Sequence, residues 1–65
     1  MRIIVNNEPR EVRGPTLAEL LEELGFGGAV VATAVNGSFT PVGQRGSRAL
    51  AEGDRVEVLA PMQGG

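Results

Sequence analysis

The residues most able to take part in chemistry lie at the end of the chain, which reads Ala60-Pro61-Met62-Gln63-Gly64-Gly65. Two residues without Cβ make the thinnest possible peptide and are free in φ. Fully extended, six residues span at most about 20 Å. A tail of that kind can thread a narrow channel and place its α-carboxylate in the active site of another protein. The carboxylate, with an ordinary pKa of about 3.3–3.7, is an anion at neutral pH and therefore a poor electrophile. To accept a sulfur or amine nucleophile it must first be activated, for example as an acyl-adenylate. The chain carries no machinery for that step. It has no Lys for a Walker motif, and Gly25, Gly27 and Gly28 do not fit the dinucleotide spacing. The activating groups must belong to a partner.

Other chemistries are excluded by composition. The 65 residues contain no Cys and no His. A thiolate nucleophile, a Ser–His pair and the usual zinc site are all absent. The net charge of -2 argues against a nucleic-acid footprint, and Phe26 and Phe39 are too few aromatics to stack bases. The longest apolar run, Ala29 to Val35, is far below a membrane span. Arg2, the short run Ile3-Ile4-Val5 and then Asn6-Asn7 do not resemble a signal peptide, so a cytoplasmic protein is expected. A chain this short makes one domain at most, and residues 1–60 are expected to form it, with 61–65 a flexible tail.

The elements that must position the tail can be read in order. Met1 to Val5 is β-branched and predicts a strand, ended by the turn residues Asn6-Asn7-Glu8-Pro9. Arg10 to Arg13 is read as an edge strand returning antiparallel. Thr16 to Leu24 predicts a helix, because Leu17, Leu20, Leu21 and Leu24 form one apolar stripe. Thr16 and Glu19 have capping-box spacing, and Gly25 stands where a left-handed C′ residue is wanted. Ala29 to Val35 is apolar on both faces and predicts a central or covered strand. Asn36-Gly37 marks a two-residue hairpin, followed by a short strand at Phe39-Thr40. Val42 to Ala51 is irregular, with Leu50 as its core anchor. After the turn Glu52-Gly53-Asp54, the last strand runs from Arg55 to Leu59, with Val56 and Val58 on one face. One helix on one face of a mixed four- to five-stranded sheet, the last strand parallel to the first, is an α+β β-grasp arrangement.

The pieces Thr16-Leu17-Ala18-Glu19-Leu20-Leu21, Val35-Asn36-Gly37, Glu52-Gly53-Asp54-Arg55-Val56-Glu57-Val58 and Gln63-Gly64-Gly65 occur in that order in 65 residues. As an ordered set covering essentially the whole chain, they resemble the sulfur carrier family of thiamin biosynthesis, ThiS, which has a ubiquitin-like β-grasp fold. The resemblance implies a non-catalytic co-substrate. Gly65 would be adenylated by an E1-like enzyme using ATP and Mg, then converted to a thiocarboxylate. A sulfur donor such as a cysteine desulfurase relay would supply the sulfur, and thiazole synthase would receive it. Gly64, Gln63 and Met62 would thread the partner's channel. One departure is Val42 after Pro41, where a basic residue is expected; Arg45 is the candidate replacement as a docking group.

Phe39, Leu59 and Met62 are expected away from the helix and are candidates for a docking patch. The acidic helix face of Glu19, Glu22 and Glu23 reads as solvated, while Glu52, Asp54 and Glu57 could speed association with a basic partner. Alternative readings keep the fold and change the destination: a carrier for molybdopterin or cysteine synthesis, a ubiquitin-like modifier, or a plain interaction domain. The absence of Lys leaves no side-chain amine on which the chain could be extended, which favours the carrier over the modifier.

Overall fold

Asn6 and Asn7 both take positive φ, 50° and 69°, and close the first hairpin. Asn tolerates this left-handed region better than other residues with a Cβ. In the computed structural model, which describes residues 1–60, they join strand β1 (Arg2–Val5) to β2 (Glu8–Glu11) with Val5 opposite Glu8. The turn is therefore two residues long, and Glu8-Pro9 belongs to the returning strand rather than to the turn. Pro9 is tolerated because β2 is the sheet edge, where a missing N–H costs no ladder bond. The expected return strand at Arg10–Arg13 thus begins and ends two residues earlier.

Helix α1 (Leu17–Glu23) follows. The Thr16 hydroxyl accepts from the Glu19 amide at 3.2 Å and donates to the Glu19 carboxylate at 3.2 Å. The carboxylate reaches the hydroxyl rather than the Thr16 amide; an isolated β-bridge to Ala49, made by the Leu17 and Leu50 amides, anchors the residues around the cap. At the other end Gly25 has φ 89°. Its amide donates to Glu22 at 3.1 Å and the Phe26 amide to Leu21 at 2.7 Å. These two bonds form a Schellman cap. Seven residues do not hold a helix alone in water; α1 exists because Leu17, Leu20 and Leu21 are buried against the sheet.

The sheet has five strands in the order β2-β1-β5-β3-β4. Strands β3 (Ala32–Val35) and β4 (Ser38–Thr40) form the second hairpin through Asn36-Gly37, and β5 (Arg55–Leu59) runs parallel to β1 and antiparallel to β3. Strand β3 is three residues shorter than the apolar run suggests: Val31 is still buried, but Val30 is 79% exposed. It lies between β5 and β4, as a central strand should, yet only one of its faces is covered. Between β4 and β5 the chain forms a 3₁₀ segment (Val42–Ser47) where irregular structure is expected, and Leu50 is buried as its anchor.

The core is one cluster. Ile3 and Val5 of β1, Val35 of β3, and Val56 and Val58 of β5 face α1, and Val12, Val31 and Leu50 close the margins. Thr33 and Thr40 are buried with them. Thr33 donates to the Thr40 carbonyl at 2.8 Å and accepts from Arg45 at 3.1 Å, so the hydroxyl that interrupts the apolar run is fully paired.

Leu20 is completely buried at the centre of this cluster. We expect Leu20→Ala to cost about 2–5 kcal/mol in urea unfolding, enough to unfold much of so small a domain. A loss under about 1 kcal/mol would mean that α1 is not what closes the core.

Candidate functional site

The tail positions Met62, Gln63, Gly64 and Gly65 lie outside the described residues. What the structure describes is the root from which they leave, the end of β5. This strand is bonded on both sides. Toward β3 the pairing extends through Val35–Val56, Ala34–Glu57, Thr33–Val58 and Ala32–Leu59. Toward β1 it covers only Ile4–Arg55 and Val5–Val56, because β1 turns away at Asn6.

Asn6 replaces the missing neighbour. Its side-chain oxygen accepts from the Val58 amide at 2.9 Å and its side-chain nitrogen donates to the Val58 carbonyl at 3.1 Å. A carboxamide presents one acceptor and one donor side by side, so it pairs with Val58 as a further strand residue would. Asn36 acts on the other side. Its oxygen accepts from the Arg55 amide at 3.0 Å, and its nitrogen donates to the Asp54 carboxylate at 3.0 Å. Asn7 accepts from the Arg55 guanidinium at 2.9 Å. The two hairpin turns thus grip the strand that launches the tail. The Asn-Gly spacing explains the second hairpin, but the sequence pattern carries no signal of this grip.

Asp54 is held below its ordinary pKa, chiefly by the Asn36 side-chain donor, then by the Ala51 amide, and lastly by the charge of Arg48; partial desolvation opposes them. The Ala51 amide donates to the carboxylate at 2.8 Å.

The structure brings Phe39 and Leu59 onto the sheet face opposite α1. Phe39 pairs with Ala34 and Leu59 with Ala32, and Ala32 and Ala34 share that face of β3. Phe39 is 69% exposed and Leu59 64%. Arg45 is not with them. It lies on the helix side, where its guanidinium donates to Thr33 at 3.1 Å and to the Val31 carbonyl at 2.6 Å. The side chain ties the 3₁₀ segment to β3, and the neighbouring Val42 is exposed. The sequence pattern does not single out Val30, although it carries a signal: an apolar run on both sides of a sheet with one helix must expose one of its apolar sets, and Val30, just before β3, is exposed.

Among the described residues no group of three or more Asp or Glu side chains could hold a metal ion, and no helix is long and apolar enough to cross a membrane. Fold and site together define a β-grasp domain whose central strand ends beside an open sheet face. The chain matches the ThiS family over residues 3–65. It is 44% identical over 61 residues to the sulfur carrier protein ThiS of Thermus thermophilus, covering 94% of this chain and 95% of that protein. The crystal structure of a thiamine biosynthesis protein, ThiS, from Geobacter metallireducens superposes with a TM-score of 0.84 at 32% identity, covering all of both chains. An NMR structure of a thiamine biosynthesis protein from the same organism gives 0.79 at 30% identity, over 100% of this chain and 88% of that one. The chain belongs to the ThiS family of small sulfur carrier proteins, which serve as protein substrates rather than as enzymes.

Two outcomes follow from the grip on β5. Asn6→Gly keeps the positive φ and removes the carboxamide, so it should cost about 1–2 kcal/mol and speed hydrogen exchange at the Val58 amide. Unchanged exchange at Val58 would show that the side chain does not hold the strand. Because Asp54 is depressed in the folded chain, its stabilising effect is complete above the ordinary Asp value, about 3.9, and is lost as pH falls through the folded value. The stability gap between the wild type and Asp54→Asn, measured by urea unfolding, should therefore close on acidification. A gap that persists at about pH 2 would assign the effect to something other than the carboxylate charge.

Proposed function

We propose that this chain carries sulfur to the thiazole of thiamin as a thiocarboxylate on Gly65. An E1-like partner binds the open sheet face at Phe39 and Leu59 and receives the tail, with Gly64, Gln63 and Met62 in its channel. There the Gly65 carboxylate attacks the α-phosphorus of ATP, held with Mg by the partner, and pyrophosphate leaves. Sulfide sulfur then attacks the acyl carbon of the adenylate and AMP departs, leaving the thiocarboxylate. From a persulfide donor, such as one loaded by a cysteine desulfurase, a thiol must afterwards reduce the sulfur–sulfur bond. Thiazole synthase takes the sulfur, and the chain returns with its carboxylate restored.

The observation that carries this reading is the gripped end of β5. A tail of few residues can present its terminus reproducibly only if its root is fixed, and β5 is paired through Leu59 on one side and by Asn6 on the other. Similarity to ThiS along nearly the whole chain supports the destination. The sequence holds no Cys, His or Lys, so activation of the carboxylate falls to a partner.

The test is the intact mass of the chain after incubation with ATP, Mg, sulfide and the adenylating enzyme. The expected gain matches one oxygen exchanged for one sulfur and disappears when Gly65 is deleted. Gly64→Val should retain the fold and lose at least about a hundredfold in adenylation rate, since small misplacements of a reacting group cost that much. Normal turnover of Gly64→Val would refute the threading, and an isopeptide with a protein lysine in place of the sulfur product would make the chain a modifier.

A further inference from the structure

The root of the tail has an apolar collar. Val30, Val31, Ala32, Leu59 and Ala60 line a half-open hollow of about 280 Å³. None of the five is charged or polar in its side chain. Val30 is the most exposed of the large apolar residues, at 79%. Val30 precedes β3 and stands exposed beside Ala32 and Leu59 of the open face, while Val31 is buried. The hollow therefore continues the Phe39–Leu59 face to the point where the chain leaves β5. It is smaller than the usual small-molecule pocket of about 300–1,000 Å³, and has no side-chain polar group to orient a ligand.

Chain length decides what covers it. On the proposed function the reacting residue is Gly65, five residues beyond Ala60. Five residues span at most about 17 Å. An active site that reaches Gly65 must open within that distance of Ala60, so the mouth of the partner's channel comes down on whatever surrounds Ala60. The surroundings are this hollow. A channel mouth that presented a charged or polar group there would bury it without a hydrogen-bond partner, at about 1–3 kcal/mol.

We infer that the hollow around Val30, Ala32, Leu59 and Ala60 seats an apolar side chain from the channel rim of the adenylating enzyme. Val30 is thereby a determinant of which enzyme accepts this carrier. The inference rests on the carrier reading, and adds to it a contact at the margin of the sheet face, next to Leu59, that fixes the tail's entry.

The test compares Val30→Glu with Gly46→Glu, which adds the same charge at an exposed position on the helix side, where a Cβ meets no other atom within 4 Å. Both variants should melt with the wild type. Affinity for the adenylating enzyme is measured by calorimetry, and adenylate formation by intact mass. Val30→Glu should bind at least about tenfold more weakly and Gly46→Glu as the wild type does. Val30→Leu, which keeps the apolar character, should retain wild-type affinity. Equal weakening by both Glu variants would reduce the effect to charge and overturn the inference. So would unchanged affinity of Val30→Glu, whether or not sedimentation shows that the variant alters self-association of the carrier. Wild-type adenylation is the separate control: if it fails, the carrier reading falls; if it proceeds while Val30→Glu binds normally, only the collar falls.

Discussion

Strand β5 is the member on which the other elements converge. It is the middle strand of five, and its inward residues Val56 and Val58 are buried under α1. A central strand gives up pairing on neither side, so its end moves only if the sheet moves with it. The parallel neighbour β1 cannot follow it the whole way, because β1 must turn into the first hairpin. The carboxamide of Asn6 resolves that conflict by pairing with Val58. At the opposite end of the strand, Asn36 and Asp54 pair with each other, and both hold backbone amides. The result is a fixed strand end on a domain too small to bury more than about 60% of its unfolded surface.

That economy also explains why the remaining parts are short. Helix α1 is two turns long and survives through a complete cap at each end and three buried leucines. The 3₁₀ segment buries no side chain of its own and is held by Arg45 to Thr33 and Val31. Arg45, the candidate docking group, is thereby engaged within the fold. With one face of the sheet committed to the core, the opposite face is left open. There Phe39, Leu59 and Val30 stand exposed beside Arg55 and Glu57, an apolar margin with charge at its centre. A contiguous exposed apolar face is the kind of surface that marks an interaction site.

Much of this was legible from residue spacing. The Leu17, Leu20, Leu21 and Leu24 stripe, Thr16 before Glu19 and Gly25 after Leu24 together specify a capped helix, since each signal is local. Arg55 to Leu59 was legible to the residue, because strict alternation between turn residues leaves no other register. The first hairpin was not. Asn6-Asn7-Glu8-Pro9 contains four turn-forming or strand-averse residues, and only the pairing of Val5 with Glu8 shows that the turn takes two of them. Pro9 is strand-averse in general and harmless at an edge, and edge position is a property of the sheet.

By itself the sequence determined the element types, the exclusion of Cys and His chemistry and the slim Gly64-Gly65 pair, because these depend on residue identity and on neighbours a few positions away. The tertiary structure alone decided that β5 is central, that Asn6 serves Val58 at a sequence separation of 52 residues, that Arg45 faces away from Phe39 and Leu59, and that Val30 joins Leu59 and Ala60 in one hollow. Each of these brings together groups distant along the chain, and strand order, not local propensity, sets which groups meet.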